Sequence, residues 1–328
     1  MRLLKAIRIN QFGTSENLLV EQTEIQGPTE NEVLINLYAA GVNPSDVYTS
    51  TGTYAIKPQL PYTPGLDGAG IVEEVGKQVT NVKVGDRVFI ASLPNGQATG
   101  TIAEKIVCES RFVHPIPAHI SFEEGAALGI PALTAYRAVV GRANVQAGQT
   151  VFIHGASGAV GLQAVQIAKA LGAKVIGTAS RESGKQLVKE AGADIVLDHI
   201  TEQTIDTVLE QTDGKGPNVI IEFLANENLQ TDLQIIAKQG VIVIVGNRGE
   251  ININPRLMMQ KECDVRGMVL FNVTAEEHQQ LIQEVAKLLE KQQLKPVVGY
   301  SYPLEEASIA FDAVINGEHN GKVVVRTQ

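Results

Sequence analysis

The sequence is poor in the residues that mark several protein classes. It has no tryptophan and only two cysteines, Cys108 and Cys263, among 328 residues. Two cysteines are too few for a disulfide framework and are typical of a reducing compartment, so we expect a cytoplasmic protein. The longest strongly apolar run, residues 241–245, has the length of a strand and is far too short to cross a bilayer. Disulfide-stapled and membrane-spanning folds are therefore not expected.

Positive charge is also scarce. There are 27 Lys and Arg against 36 Asp and Glu, which gives a net charge of −9. This balance works against binding to nucleic-acid phosphates or anionic membranes, so we expect neither partner. Residues 1–8 scatter charges among apolar residues, and we expect no secretory signal there.

A glycine-rich loop between a strand and a helix is the most informative feature present. Residues 150–154 form a short apolar β-type run, and residues 162–171 have helical spacing of apolar residues. The loop between them contains Gly155, Ser157 and Gly158, and it matches the G-x-G-x-x-G fingerprint except that its first glycine is Ala156. Such a junction offers free N–H groups and a helix dipole to a pyrophosphate, so the sequence predicts a dinucleotide site.

The next strand, residues 174–178, indicates which dinucleotide is bound. An NAD site usually has an acidic residue about 20 residues beyond the loop, for the adenine ribose. Here the strand is followed by Ser180 and Arg181, with Lys185 one turn later. A hydroxyl and two cations suit a 2′-phosphate, so we predict NADPH in preference to NAD, although Glu182 adds an opposing charge.

The pattern of elements changes along the chain. Residues 1–122 are rich in short β-type runs broken by Gly and Pro, whereas residues 123–268 alternate strands and helices. Alternation of this kind predicts an α/β fold with a Rossmann doubly wound parallel sheet. Six strands complete that sheet, so residues 269–328, which include a helix at 275–290 and a strand at 322–326, are predicted to return to the first lobe. The β-rich lobe is then discontinuous.

Several motifs spread over nearly the whole chain resemble one known family, the zinc-free quinone oxidoreductase branch of the medium-chain dehydrogenase/reductases. The motifs are Gly41-Val42-Asn43-Pro44, Gly52-Thr53-Tyr54, Pro61-Tyr62-Thr63-Pro64-Gly65, Val84-Gly85-Asp86-Arg87-Val88, Gly129-Ile130-Pro131, His154 to Gly161, Leu224-Ala225-Asn226 and Val245-Gly246-Asn247-Arg248-Gly249. The resemblance implies a GroES-like β-rich lobe beside the Rossmann lobe. It also implies NADPH as the donor and a quinone or an electrophilic enone as the acceptor.

The resemblance further implies roles for individual residues. Cofactor contacts carried over residue by residue are Tyr48, Thr134, the loop Ser157, Gly158, Ala159 and Val160, the adenosine-end residues Ser180, His199 and Asn228, and the strand-end residues Val245, Gly246, Asn247 and Arg248. Asn43, Tyr48 and Tyr54 are the candidates for orienting the acceptor oxygen by hydrogen bonds. As alternatives to these roles, His199 could equally be a structural residue, and the two tyrosines could pack beneath a loop.

No zinc site is expected. A catalytic zinc needs three protein ligands, usually Cys and His. Where the zinc-dependent branch of the resembled family has a cysteine and a Gly-His-Glu run, this chain has Asn43 or Pro44 and Gly65-Leu66-Asp67. Without a metal to polarise a carbonyl, the site suits acceptors that are already electrophilic. The proton donor, solvent or a tyrosine, and the choice between hydride and one-electron transfer stay open.

Two other functions remain as alternatives. An enoyl-thioester or alkenal reductase shares the fold and the zinc-free site. A binding or structural role, including RNA binding, is known among relatives of the resembled family, although the acidic charge balance disfavours it. The resemblance also implies a homodimer or homotetramer, with the β-type run 265–269 as a possible sheet edge.

Overall fold

The structure, a computed structural model, describes residues 2–92, 94, 96–199, 201–317 and 319–328. The chain divides into two compact units. Unit 1 combines Met1–Pro131 with Pro296–Gln328, and unit 2 is Ala132–Lys295. Each unit has its own sheet.

In chain order the strands are β1 (Arg2–Ile9), β2 (Leu18–Ile25), β3 (Glu32–Val42), β4 (Asp67–Val75), β5 (Arg87–Ile90), β6 (Lys105–Glu109), β7 (Val113–Pro115), β8 (Thr150–Ile153), β9 (Lys174–Thr178), β10 (Ile195–Leu197), β11 (Val219–Glu222), β12 (Val241–Ile244), β13 (Asp264–Gly267), β14 (Val298–Pro303) and β15 (Lys322–Arg326). The helices are α1 (Pro44–Ser50), α2 (Phe122–Gly125), α3 (Gly129–Tyr136), α4 (Ala159–Ala170), α5 (Glu182–Glu190), α6 (Glu202–Glu210), α7 (Ala225–Ile235), α8 (Pro255–Lys261), α9 (Ala275–Glu290) and α10 (Ala307–Asn316).

Unit 2 is built on a six-stranded sheet with the order β10-β9-β8-β11-β12-β13. Every neighbouring pair in this sheet is parallel. The central strands consist of β-branched and aromatic residues, and Val151, Phe152 and Ile153 of β8 are fully buried. Continuous burial on both faces is the pattern of a parallel sheet covered by helices on each side. The predicted doubly wound α/β fold is confirmed.

Unit 1 contains a mostly antiparallel sheet with the order β14-β15-β3-β4-β5-β7, to which β6 adds by pairing with β3. A separate hairpin joins β1 and β2. The C-terminal strands enter this sheet through β15, which pairs with β3 in the antiparallel direction. Phe311 of α10 and Val323 and Val325 of β15 share a core with Ile7 and Ile9 of β1. The β-rich unit is thus completed by residues from both ends of the chain.

The return of the chain to unit 1 occurs later than the sequence predicted. We expected residues 269–328 to rejoin the β-rich lobe, but the segment up to Lys295 belongs to unit 2. Helix α9 buries Leu281, Val285 and Leu289. Gln166 of α4 then holds the end of the segment, because its side chain donates to the Lys295 carbonyl (3.0 Å) and accepts from the Lys295 amide (2.6 Å). Similarly, the first boundary follows residue 131 instead of 122.

Within the described residues, no helix combines the length and the apolar character that a membrane crossing requires.

Candidate active site

The loop after β8 turns tightly because glycine occupies the position that needs it. Gly155 has φ +50°, a left-handed conformation, and its amide donates to Thr178 Oγ1 at 3.1 Å. Ala156 donates to the Thr178 carbonyl at 2.8 Å, so the loop is fixed to the end of β9. A Cβ on Gly161 would lie 2.6 Å from the Gly155 carbonyl oxygen, which makes glycine obligatory there. Gly155 thus supplies the turn that the missing first glycine of the fingerprint would have made.

The N-terminus of α4 is open for an anion. The N-cap residue, Gly158, provides no side-chain cap. The amides of Ala159, Val160 and Gly161 lie in the first helical turn, where an α-helix has no acceptor of its own for them. Nothing within 4 Å would contact a Cβ built on Gly155, so the space on that side of the loop is free. These features fit a dinucleotide diphosphate, which needs unpaired N–H donors and the positive end of a helix dipole.

The residues predicted for a 2′-phosphate follow β9, but they are not equally available. Ser180 and Arg181 are exposed, and Arg181 is the N-cap of α5. The Lys185 ammonium is held between Glu182 (2.9 Å) and Asp198 (2.7 Å). Hydrogen bonds to those two carboxylates raise the pKa of Lys185. Among the side chains that the structure describes, no carboxylate lies within ion-pair distance of Arg181, so its charge is the one available to a phosphate.

The other predicted adenosine-end residues have partners in unit 2. The Asn228 amide lies in α7 and donates to Glu222 Oε1 at 3.3 Å. His199 is exposed, and its carbonyl accepts from Thr204 Oγ1 at 3.0 Å. Asn228 is therefore held by a buried carboxyl group, whereas the imidazole of His199 is presented at the surface.

The segment after β12 follows the same edge of the sheet as the glycine loop. Val245 and Gly246 donate to the carbonyl of Glu222 at 2.8 and 3.2 Å. The Asn247 amide donates to the Gly249 carbonyl at 2.7 Å, and the Arg248 N–H donates to Asn226 Oδ1 at 2.8 Å. The carboxyl ends of β11 and β12 are thereby joined, and the guanidinium of Arg248 is left exposed.

Thr134 and the two predicted tyrosines occupy different units. Thr134 is a buried residue of α3 that belongs to unit 2. Tyr48 and Tyr54 are half-buried residues of unit 1. Tyr48 lies in α1 and Tyr54 in the turn that follows it, and the Tyr54 N–H donates to the Tyr48 carbonyl at 3.0 Å. Both Thr51 Oγ1 and Thr53 Oγ1 also donate to that carbonyl. The structure therefore brings the tyrosines together on a braced turn.

Asn43 has a different environment from the one predicted. Its side chain is 3% exposed and lies inside a polar network of unit 1. Asn43 Nδ2 donates to Asp67 Oδ2 at 2.8 Å and to Asp46 Oδ2 at 3.2 Å, while Asn43 Oδ1 accepts a short hydrogen bond from Lys322 Nζ. The amide is thus used to connect buried charges.

Lys322 supplies the positive charge of this network. Its ammonium lies 3.2 Å from Asp67 Oδ2, and the two side chains are 2% and 0% exposed. Burial lowers the pKa of Lys322, although the two aspartates oppose that shift. Burial raises the pKa of Asp67, and burial followed by the neighbouring Asp67 charge raises the pKa of Asp46 to about 7. The network therefore holds a buried lysine cation against the Asp67 carboxyl group and the Asn43 amide.

A small pocket opens beside this network in unit 1. Asp46 and Thr49 of α1 line one side, and Tyr62 and the loop 63–66 line another. Tyr62 is 3% exposed, and within the described part of the chain its hydroxyl has no hydrogen-bond partner. Burial, followed by the Asp46 charge, raises the pKa of Tyr62. The pocket therefore offers an unsatisfied hydroxyl next to a carboxyl group that titrates near neutrality.

A second buried cluster lies directly beneath the glycine loop in unit 2. His154, Glu222 and Asp232 are 4%, 0% and 0% exposed. Among the described residues they form the one group of three whose ligand atoms are close enough to hold a metal ion, all within 4.8 Å of one another. His154 Nε2 lies 2.8 Å from Asp232 Oδ1, which is the distance of a hydrogen bond.

Sequence reasoning did not identify either buried network. Lys322 is 255 residues from Asp67, and His154 is 78 residues from Asp232. The one available signal was a charged residue inside or at the end of an otherwise apolar strand, as at Lys322 in β15 and Glu222 in β11, because such residues are almost never fully buried without a partner.

Two family models match the chain. Residues 29–118 match the alcohol dehydrogenase GroES-like domain, and residues 159–287 match the zinc-binding dehydrogenase model. The two matches correspond to the two units and agree with the predicted architecture.

Several known proteins are similar over their whole length. Quinone oxidoreductases of Lama guanicoe and Homo sapiens are 44% and 43% identical over 326 residues, which is 99% of this chain and 98% of each relative. A quinone oxidoreductase of Pseudomonas syringae has a similar structure, with a TM-score of 0.86, 31% identity and coverage of 98% and 99% of the two chains. A mycobacterial protein complexed with NADPH has a TM-score of 0.86 and 28% identity, with coverage of 98% of this chain and 99% of the other. The CurK enoyl reductase has a TM-score of 0.88 and 27% identity, with coverage of 99% of both chains.

Proposed function

Because the chain belongs to the quinone oxidoreductase family of the medium-chain dehydrogenase/reductases, we propose that it reduces quinones, or related electrophilic enones, with NADPH. The observation that carries the proposal is the uncapped N-terminus of α4 behind the loop of Gly155 and Gly158, since it has the donors that a diphosphate requires. The overall reaction converts a quinone, NADPH and one proton into a hydroquinone and NADP⁺.

In this proposal unit 2 binds the cofactor along the carboxyl edge of its sheet. The amides of residues 157–160 hold the diphosphate, and Val245, Gly246, Asn247 and Arg248 line the edge formed by β12. Arg181 and Ser180 receive the 2′-phosphate, because Lys185 is already paired with two carboxylates. When bound, NADPH supplies the hydride. Thr134, a buried residue of α3, would restrict how the nicotinamide ring is oriented.

The hydroxyls of Tyr48 and Tyr54 orient the acceptor oxygen. Both tyrosines extend from the turn that the Tyr48 carbonyl braces, so their positions are fixed before the acceptor binds. Asn43 acts through its neighbours: it holds Asp46 at the first turn of α1, and α1 carries Tyr48. We therefore assign Asn43 a positioning role. A hydrogen bond to the developing phenolate oxygen lowers its energy as negative charge forms there.

A direct assay tests the proposed reaction. Purified protein is mixed with NADPH and a panel of ortho- and para-quinones, and NADPH oxidation is followed by absorbance. We expect turnover with 1,2-naphthoquinone and a clear preference for NADPH over NADH. If no quinone in the panel accelerates NADPH oxidation, or if the protein does not bind NADPH, the proposal fails.

An enoyl-thioester reductase is the second candidate, and its support is the similarity to the CurK enoyl reductase. Crotonyl-CoA and 1,2-naphthoquinone separate the two functions when they are compared as acceptors under the same conditions. A higher kcat/KM for crotonyl-CoA would favour the thioester. The family identity and the 44% identical relatives favour the quinone.

We also propose that the protein works as a homodimer or homotetramer in the cytoplasm, without a nucleic-acid partner. Strand β13 ends the parallel sheet, and it has a pairing partner on one side only among the described strands. Such an edge can pair with a second copy. Both cysteines are buried free thiols, as expected in a reducing compartment. Size-exclusion chromatography with light scattering tests the oligomeric state.

A further inference from the structure

The cluster beneath the glycine loop lacks a hydrogen-bond donor when both of its carboxyl groups are ionised. His154 Nε2 is 2.8 Å from Asp232 Oδ1 and 3.3 Å from Glu222 Oε2. Glu222 Oε2 and Asp232 Oδ2 are both fully buried, and neither has a hydrogen-bond partner among the residues that the structure describes. Ionised carboxylates only accept hydrogen bonds, so two such oxygens left without donors in a dry interior carry a large desolvation penalty.

One added proton on Glu222 resolves this deficit. A protonated Glu222 can donate to Asp232, while the imidazolium of His154 donates to the other Asp232 oxygen. Burial, and after it the charge of Asp232, raises the pKa of Glu222 to about 7. Burial by itself would lower the pKa of His154, but Asp232 more than compensates and the pKa is raised. In this state the cluster is neutral, with one imidazolium, one carboxylate and one carboxylic acid.

The same three residues connect the strand ends that form the cofactor edge. His154 immediately precedes Gly155, and its amide donates to the Ile221 carbonyl of β11 at 3.1 Å. Glu222 Oε1 accepts from the Leu224 amide and from Asn228 Nδ2. The Glu222 carbonyl accepts from Val245 and Gly246 beyond β12. The cluster therefore determines how the glycine loop sits relative to β11 and β12.

We propose that His154, Asp232 and Glu222 form a proton-holding triad that positions the glycine loop and controls the charge beneath it, so that uptake of a proton strengthens diphosphate binding. This inference rests on the proposed cofactor function. When Glu222 loses its proton, a net negative charge appears under the loop that receives an anion. By linkage, a ligand that prefers the protonated triad also raises the proton affinity of the triad.

Few other charged groups surround the triad. Apart from Glu222, strands β8, β11 and β12 carry no titratable side chain. The other titratable residue of α7, Glu227, is exposed and accepts from the neighbouring Asn226 amide. In α4 the charged residue is Lys169, which pairs with Asp194 at the far end of the helix. Within the described part of unit 2, the charges that act on His154 are those of Asp232 and Glu222.

The test measures the affinity for ADP-ribose, which carries the diphosphate but no phosphate monoester that would titrate near neutrality. Its Kd is determined by calorimetry from about pH 6 to about pH 8.5 for the unchanged protein, for Glu222→Gln and for the control Glu227→Gln. We expect binding to weaken about tenfold over this range in the unchanged protein and in the control, since the negative charge that appears on Glu222 repels the diphosphate through a medium of lower dielectric constant than water. The E222Q amide donates at every pH, so its Kd should stay at the tight, low-pH value.

Equal pH profiles for Glu222→Gln and the unchanged protein would refute the triad. Stoichiometric metal bound at this cluster in the purified protein would refute it as well. A second measurement needs no variant: at about pH 7.5, calorimetry in two buffers of different ionisation enthalpy should show proton uptake on binding. Absence of uptake contradicts the inference even if E222Q fails to fold. If ADP-ribose and NADPH bind at no pH, the proposed function itself fails, which is a different result.

Discussion

Replacing Lys322 by methionine tests the idea that one buried cation stabilises the network of unit 1. Methionine keeps most of the apolar stem of lysine and removes the charge. The change leaves Asp67 fully buried without its counter-ion, and it removes a donor from Asn43 Oδ1. We therefore expect unit 1 to lose stability while its sheet retains the same packing volume.

The magnitude follows from the geometry. Two unit charges 3.2 Å apart attract each other by about 5 kcal/mol at an effective dielectric constant of 20. Breaking a buried pair by removing one partner typically costs about 3 to 5 kcal/mol, because the remaining charge is left unpaired. A loss of that size in a unit of this length corresponds to a fall of roughly 10 °C in the melting midpoint.

The loss should depend on pH with a defined sign. Burial already raises the pKa of Asp67, and removing the ammonium raises it further. A raised folded-state pKa stabilises the protein at acidic pH, and this contribution is lost as the pH rises through that pKa. The deficit of Lys322→Met should therefore be small near pH 5 and large near pH 8.

Thermal and urea unfolding at about pH 5 and about pH 8, followed by circular dichroism, measure this deficit for Lys322→Met. Lys77→Met, an exposed lysine of the same unit, is the matched control and should change stability by less than about 0.5 kcal/mol. A loss for Lys322→Met below about 1 kcal/mol at both pH values would refute the reasoning, and so would a larger deficit at the acidic pH.

Three further predictions concern the proposed cofactor-binding residues of unit 2 and a buried carboxyl group of unit 1. Arg181→Ala should raise the KM for NADPH about tenfold and leave the KM for NADH unchanged. Lys185→Ala should change both KM values by less than about threefold. Equal effects of the two variants in steady-state kinetics would contradict the assignment. Gly161→Ala should lower the free energy of unfolding by about 1 to 3 kcal/mol and weaken NADPH binding, because its Cβ would lie 2.6 Å from the Gly155 carbonyl oxygen. Thermal unfolding measures the first effect and calorimetry the second. Asp46→Asn removes a carboxyl group whose pKa is raised to about 7. The free energy of unfolding should therefore fall less steeply between about pH 4 and about pH 7 in the variant. An unchanged pH dependence of that free energy, measured by urea unfolding, would argue against a buried, protonated Asp46.

The sequence by itself determined the order of elements and the position of the dinucleotide loop. The predicted spans 174–178, 275–290 and 322–326 match β9, α9 and β15 residue for residue. These signals are local: apolar periodicity, a threonine cap and glycine at a turn act over a few residues, so they can be identified without knowing the fold. The same locality explains the late boundary at residue 295, because only packing against Gln166 shows that α9 stays with unit 2.

The tertiary structure decided which charged residues are buried and what partners they have. Lys322 and Asn43 are 279 positions apart, and His154 and Asp232 are 78 apart. In the sequence each of these residues is an ordinary polar side chain, since a charge inside or after a strand is usually solvated. The desolvation penalty of burying them is offset only when folding brings opposite charges and hydrogen-bond partners within about 3 Å of one another. The buried networks are therefore a property of the fold, whereas the loop proposed to bind the diphosphate is already present in the order of the residues.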